Sequence, residues 1–599
     1  MLSFRLICCW GQKHPKFWDE NRKSEAWTVL FHFVFRLPWT FKVGTTSTAT
    51  VGAERPYILK TTSDKQCAEF EPRPADTERR AQFKVETRAS LCFKGASMNA
   101  TPKPRVWIVT VPFFSHTVGA TQLAEQIGRH GLAVTLFAPD AYIERLLTSH
   151  TRRQIENWKV QGLDIHLKIL PIQPAVMAGG VGGPHRFVAP IQQTEDIFEE
   201  ILKSELEGEF RPTCIVSDLS VPGVRKVATR FNVPSLPLIT VSASYTAANL
   251  YINQLVSKGI LSLPDSISDK RCEEELVSVP GLPLIRMCDL SGVNFKEYPL
   301  YDLGRRSLES LLNSDMIIFS GFRELDPRGF RALEKVLQIC SDKNRIKMPL
   351  VWTIGPTYLN LSRLRRSDVN VAETGDEELH PCIEFLNSQS PASVLYVAFG
   401  TDVNHSEKQM RELAYGLESS QQPFLCVLHP PMRSSESDEQ QRDIFSILPA
   451  DCLSRIGSRG LFVSWSPQGD VLSHPSTGGF LSHCGHNSML ESMSMGVPML
   501  AWPCKGDQFA NCRFLVDEAH LAIEVCPNLL AGGFVGREDV EKAVKSLFHG
   551  EEGTAVRENA RRMKLLAEES VGEHGSSNNN FRDFLAHVEA AIDLHLETP

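Results

Sequence analysis

From residue 104 onward the chain alternates short apolar runs with longer stretches of helical periodicity. Val106–Val111 reads as a strand, Thr121–His130 as a helix closed by Gly131, and Ala133–Ala138 as the next strand. Thr213–Val216 is a further short apolar strand, followed by a helix around Val224–Phe231. Continuous apolar strands separated by helices predict a parallel sheet covered on both faces. The alternation weakens between Ile354 and Pro391, where Pro, Ser, Arg, Asp and Glu accumulate, and restarts at Val394–Phe399. Further strands are expected at Phe424–Leu428, Gly460–Val463, Gly479–Ser482 and Met499–Ala501. The pattern predicts an α/β protein with two doubly wound domains, 98–356 and 391–575, joined by a linker at 357–390. A closing helix at 576–599 is expected to pack back on the first domain. Ligands of such folds bind beyond the carboxyl ends of the strands, so function is expected in loops that follow strands.

Residues 1–97 break the pattern. They carry 16 Lys and Arg against 10 Asp and Glu, a net of +6 that leaves −14 for the rest of the chain. Their apolar residues keep no period, and Ser, Thr, Glu and Arg dominate Thr45–Arg88. We read this segment as a disordered or non-native extension. The 42 % hydrophobic content of the whole chain excludes wholesale disorder. A net charge of −8 with no basic stripe argues against nucleic-acid binding. No two of the fifteen cysteines have C-x-x-C spacing, which disfavours zinc ribbons and thiol redox motifs and suits a reducing compartment. The apolar run Trp27–Phe35 is about half the ~20 residues a membrane helix needs, so a cytoplasmic protein without a membrane span is expected.

The informative chemistry lies in the 44 residues from Trp465 to Gln508. The strand Gly479–Ser482 runs into His483-Cys484-Gly485-His486-Asn487-Ser488, where a helix begins. Asn487 and Ser488 suit a helix start, whose free N–H groups and dipole attract phosphate. Gly485 allows close backbone approach, and His483 can donate to a phosphate oxygen. Glu491 follows Asn487 by four residues on the same helix face, and its carboxylate can accept from a diol. Trp465, after a strand, can present a flat face to a nucleobase. Asp507 and Gln508, after another strand, suit sugar hydroxyls. Each residue alone has an ordinary structural reading as core, cap or turn; their order and spacing together specify a sugar-nucleotide site. Gly179–Gly183 lacks the Lys-Ser/Thr of a phosphate loop, and His474, His483 and His486 lack the partners of a metal site, so no metal is expected.

The stretch resembles the signature box of the plant-type UDP-dependent glycosyltransferases, which have the GT-B fold of two Rossmann-like domains facing a central cleft. The likeness runs over nearly all of 104–590 and includes PGLP at Pro280–Pro283, IGP at Ile354–Pro356 and SVLYVAFGT at Ser393–Thr401. It implies that Trp465 stacks on uracil, with Ser466 and Gln468 holding base and ribose. It assigns the diphosphate to His483, Asn487, Ser488 and Thr401, and the ribose to Glu491. Asp507 and Gln508 would hold the transferred sugar, and Thr240 would reach its 6-hydroxyl region. Gln508 is the family's usual residue for UDP-glucose.

Transfer also needs a base, because an acceptor hydroxyl is a weak nucleophile until its proton is removed. His116, expected in the loop after the first strand, can serve as that base, oriented by Asp218 at the end of Thr213–Val216. The family places its His–Asp dyad at these positions. The implied reaction is attack on a UDP-α-sugar with inversion to a β-glycoside on a small lipophilic acceptor such as a phenolic or terpenoid alcohol. It calls for no cofactor beyond the UDP-sugar co-substrate, and a monomer is expected. His486 stands where the family has tryptophan, and the loop Pro112–Ser115 is two residues shorter than the family's form and lacks its glycine. Cys426 and Phe385 also replace family aromatic positions. Two alternatives follow from these departures: a non-catalytic sugar-nucleotide-binding protein, or a GT-B relative that hydrolyses or epimerises the sugar nucleotide.

Overall fold

The computed structural model describes residues 103–596 apart from loops, chiefly 112–113, 140–148, 173–184, 368–379 and 429–443, together with the short strands Thr48–Thr50 (β1) and Pro56–Ile58 (β2). These two strands pair antiparallel within a unit formed by Met1–Met98. The rest of the expected N-terminal extension, and the glycine-rich stretch 179–183, lie outside the described residues. Asn99–Pro599 forms the second unit.

Its first lobe is built on seven parallel strands. They are β3 (Arg105–Val109), β4 (Ala133–Pro139), β5 (Ile165–Leu170), β6 (Cys214–Asp218), β7 (Ser235–Ile239), β10 (Met316–Phe319) and β11 (Leu350–Thr353). A small hairpin, β8 (Leu276–Ser278) with β9 (Leu284–Arg286), stands apart from the sheet. The order across the sheet is β5-β4-β3-β6-β7-β10-β11. The second lobe has β12 (Val394–Ala398), β13 (Phe424–Val427), β14 (Gly460–Val463), β15 (Thr477–Ser482), β16 (Met499–Ala501) and β17 (Ala522–Glu524). These six parallel strands are ordered β14-β13-β12-β15-β16-β17. Each sheet therefore winds outward in one direction from its first strand and then in the other. The reversal falls between β3 and β6 in one lobe and between β12 and β15 in the other, and doubly wound sheets bind ligands at such points.

Burial explains the unbroken apolar strands. Along β12, Val394, Tyr396 and Ala398 enter one core while Leu395 and Val397 enter another, because successive side chains point to opposite faces. In β3, Val106 and Ile108 face one core, and Trp107 and Val109 face the other. Both faces of these central strands are covered, so they show no polar alternation, whereas the edge strand β5, with His166 and Lys168, does.

Two features differ from the sequence expectation. The first helix, α1 (Phe114–Arg129), starts seven residues before the expected Thr121, so His116 stands in a helical first turn and not in a loop. Ser115, Thr117 and Gly119 carry poor helical propensity, and tertiary contacts override it. Thr117 is buried with its hydroxyl donating to Val111 O at 3.3 Å, and Thr121 Oγ1 donates to Thr117 O at 2.7 Å. Within the expected linker, Thr357–Ser367 and Pro381–Asn387 are helical.

The lobes are tied together. Phe322 and Leu325, just past β10, are buried in the second lobe's core beside Leu490. Arg328 Nη1 lies 3.2 Å from Glu518 Oε2. The last helix, named here by its range Ser576–Leu596, returns to the first lobe, where Phe581, Phe584 and Val588 pack with Val106 and Ile108. Asn580 Nδ2 donates to Thr353 O at 3.2 Å at the same junction. Each buried Phe contributes about 1.5–3 kcal/mol to that closure. The described cysteines are free thiols, mostly buried. Among the described residues, no helix is long and apolar enough to cross a membrane.

Candidate active site

In the first lobe the strand order brings together two residues 102 positions apart. Asp218 is the last residue of β6, the neighbour of β3, and α1 rises directly after β3. His116 Nδ1 lies 2.6 Å from Asp218 Oδ2, and the Asp218 side chain is almost fully enclosed. The other carboxylate oxygen accepts from Ser220 N–H at 2.8 Å, which fixes its orientation. Thr240, just past β7, places Oγ1 3.1 Å from the same His116 nitrogen. A carboxylate oxygen at this distance favours the tautomer with its proton on Nδ1, in which Nε2 carries the ring's acceptor lone pair.

In the second lobe, β15 ends at Ser482 and the chain turns through His483-Cys484-Gly485 into a helix we call α2 (His486–Met495). Gly485 is the N-cap and has no side chain with which to cap the first amides. Those N–H groups and the helix dipole point at the site, as phosphate binding requires. Cys484 adopts φ 63°, and Asn511 Nδ2 donates to its carbonyl at 3.0 Å. The His483 ring sits between two glycines. A Cβ on Gly485 would fall 2.4 Å from its Nε2, and one on Gly400 would fall 2.8 Å away. Burial first, then the positive charge of Lys505, pushes His483 down to about 3, so it meets a ligand as a neutral donor. Gly485→Ala is therefore expected to weaken UDP binding by about tenfold or more by displacing that ring. Calorimetric titration reads the effect, and unchanged affinity would remove the turn from the phosphate site.

Around the turn lies a connected polar group. Gln468 Nε2 donates to Glu491 Oε2 at 2.7 Å and to Ser488 Oγ at 3.2 Å. The hydroxyl of buried Tyr396 lies 2.8 Å from Ser466 Oγ. Burial pushes the Glu491 carboxyl up to about 7. Trp465 is half-buried, its ring edge-on to His380 at 5.5 Å. Thr401 follows β12 immediately after Gly400, on the side where His483 rests. Asn487 lies in the first turn of α2.

Asp507 and Gln508 open the next helix, α3 (Gln508–Arg513). Asp507 Oδ2 accepts from Asn511 Nδ2 at 2.8 Å, and burial raises its pKa. Gln508 Oε1 accepts from the amides of Cys504 and Lys505 at 3.0 and 2.9 Å, so its carbonyl holds its own loop in shape. His486 is buried with both ring nitrogens lacking hydrogen-bond partners. Its Nε2 lies 3.8 Å from where a Cβ on Gly321 of the first lobe would stand. The charge that His116 carries when protonated acts on both Asp507 and His486. His116 of one lobe and Asp507 and His486 of the other thus share one cleft.

Residues 349–568 match the family described as UDP-glucoronosyl and UDP-glucosyl transferase. UDP-glycosyltransferase 85A7 of Arabidopsis thaliana is 32% identical over 406 residues, covering 65% of this chain and 78% of that protein. The chain belongs to the plant-type UDP-dependent glycosyltransferases. This glycosyltransferase is also 29% identical over 495 residues to a 7-deoxyloganetin glucosyltransferase of Gardenia jasminoides, covering 80% of this chain and 96% of that one. Among solved structures, Phytolacca americana UGT2 complexed with UDP-2fluoro-glucose and pterostilbene aligns with TM-score 0.65 and 26% identity, over 82% of this chain and all of that one. TcCGT1 in complex with UDP aligns with TM-score 0.67 and 27% identity over 82% of this chain and all of that one. The glycosyltransferase thus has the GT-B fold expected from its sequence.

Three contributors to the glycosyltransferase site escaped the sequence reading. Tyr396 sits inside an apolar strand, so its hydroxyl reads as core. Asn511 joins the 483–485 turn to Asp507, and only its four-residue spacing from Asp507 hinted at contact. Phe399, Trp502 and His405 form an aromatic cluster, with ring centroids 4.3–5.5 Å apart, behind the Gly400 loop.

Proposed function

We propose that the enzyme transfers glucose from UDP-glucose to a hydroxyl of a small lipophilic acceptor, inverting the anomeric centre to a β-glycoside. The observation that carries this reading is the 2.6 Å His116–Asp218 contact standing opposite Asp507 and His486 in one cleft. In this reading Trp465 faces uracil, Glu491 accepts from the ribose diol, and the 483–488 turn receives the diphosphate. The acceptor oxygen attacks the anomeric carbon as His116 Nε2 takes its proton. The bond from that carbon to the β-phosphate oxygen breaks, and its electron pair leaves with UDP. Asp218 stabilises the imidazolium that forms, and the helix start meets the charge growing on the diphosphate. The similarity to proteins named as glucosyltransferases, and to one complexed with UDP-2fluoro-glucose, supports glucose as the donor sugar. Pterostilbene in that same complex supports a phenolic class of acceptor.

Incubating the purified protein with UDP-glucose and a panel of phenolic and terpenoid alcohols tests this. Acceptor-dependent release of UDP together with a glucoside by mass spectrometry is the expected result. UDP release that ignores the acceptor would replace transfer with hydrolysis, and binding without release would leave a nucleotide-binding protein.

A further inference from the structure

Lys505 has no part in the reaction described above, yet its loop lies against the phosphate turn. Residues 502–507 join β16 to α3, and Trp502 N–H donates to Ser482 O at 2.9 Å, so the loop runs beside the end of β15. Asn511 adds the second tie, through Cys484 O. Gln508 clamps the amides of 504 and 505, and Gly506 turns the chain at φ +64° with nothing within 4 Å of a Cβ there. Lys505 is exposed while Trp502 and Gln508, which anchor its loop, are buried. Its charge acts on His483, whereas Asp507 responds to Asn511 and His116. The loop that carries Lys505 therefore borders the turn that follows β15.

A nucleoside diphosphate sugar brings about two negative charges, and UDP gains a further one as it leaves. The N-terminus of α2 offers the equivalent of about half a positive charge, and His483 is neutral. A full positive charge at the edge of this turn would add to what the helix start supplies, and an ammonium is a compact one. We propose that Lys505 is a further donor-binding residue, its ammonium holding the diphosphate of the sugar nucleotide and the UDP that departs. This rests on the donor site proposed above.

The test is calorimetric titration of the full chain with UDP and with uridine, for the wild type, Lys505→Gln and Lys505→Arg. Lys505→Gln is expected to weaken UDP binding about ten- to hundredfold while leaving uridine within about twofold. Lys505→Arg should recover most of the loss, and the salt dependence of UDP binding should be shallower in the Gln variant. Equal UDP affinity in the Gln variant and the wild type would overturn the proposal. An equal loss for uridine and UDP would also overturn it, by showing a merely structural role. Unchanged UDP affinity with slower turnover of carboxylate-bearing acceptors alone would overturn it too, placing the ammonium on the acceptor side. A wild type that binds neither compound would overturn the donor site itself, an outcome distinct from these because it does not involve Lys505.

Discussion

Replacing His116 with alanine is expected to lower kcat by about 10²- to 10⁴-fold, the range that a positioned general base contributes. UDP affinity should stay within about twofold, because His116 belongs to the first lobe and the nucleotide site proposed above lies in the second. The prediction follows from geometry: the imidazole is pinned at 2.6 Å by a buried carboxylate, and its protonated charge is felt at Asp507 and His486 across the cleft. Asp218→Asn should lose a large part of the same rate, since an amide cannot hold the Nδ1–H tautomer or stabilise the imidazolium as well. Steady-state rates of glycoside formation, with calorimetric UDP binding as the control, decide the matter. Full turnover in His116→Ala would end the general-base assignment.

Glu491→Gln is expected to stabilise the protein and weaken the donor together. Burial lifts this carboxyl to about 7 from an ordinary 4.5. The folded state then holds the proton more tightly than the unfolded one, so stability is lost as pH rises from about 4.5 to about 7 and the loss is complete above that. The penalty at pH 8 is on the order of 2–3 kcal/mol. Glutamine avoids it and can still accept from Gln468 Nε2, so the variant should melt several degrees higher at pH 8, with the gap narrowing towards pH 5. A ribose diol, however, loses an anionic acceptor worth about 1.5–3 kcal/mol, or about ten- to hundredfold in affinity. UDP takes up a proton on its terminal phosphate at about pH 6 in both proteins, so wild-type affinity should fall more steeply than that of the variant as pH drops below about 7. Thermal melts at pH 5 and 8, with UDP titrations at both, measure the two effects. Undiminished UDP affinity in Glu491→Gln at pH 8 would take the ribose away from this residue.

Much of this enzyme is written locally in its chain. The runs Val106–Val109 and VLYVA are apolar at every position, and only a strand buried on both faces tolerates that, so parallel sheets followed directly. Most of the donor-side residues could be read because they stand within one 44-residue stretch, Trp465–Gln508. Where the signal was weak or distant, the sequence underdetermined the outcome. The start of α1 is one case: its first turn has no apolar period, and the helix exists there because Thr117 is buried against Val111. Gln508 is another, since nothing in its spacing showed that its carbonyl is spent on its own loop.

Residue order alone thus determined the two doubly wound lobes and the sugar-nucleotide box, because both depend on contacts between neighbours in the chain. Only the folded structure decided that His116 stands in a helical turn, that Tyr396 backs Ser466, and that the loop carrying Lys505 runs beside the turn after β15. Those encounters are set by which parallel strands become neighbours, and contacts between strands that are not adjacent in the chain leave no mark on local sequence.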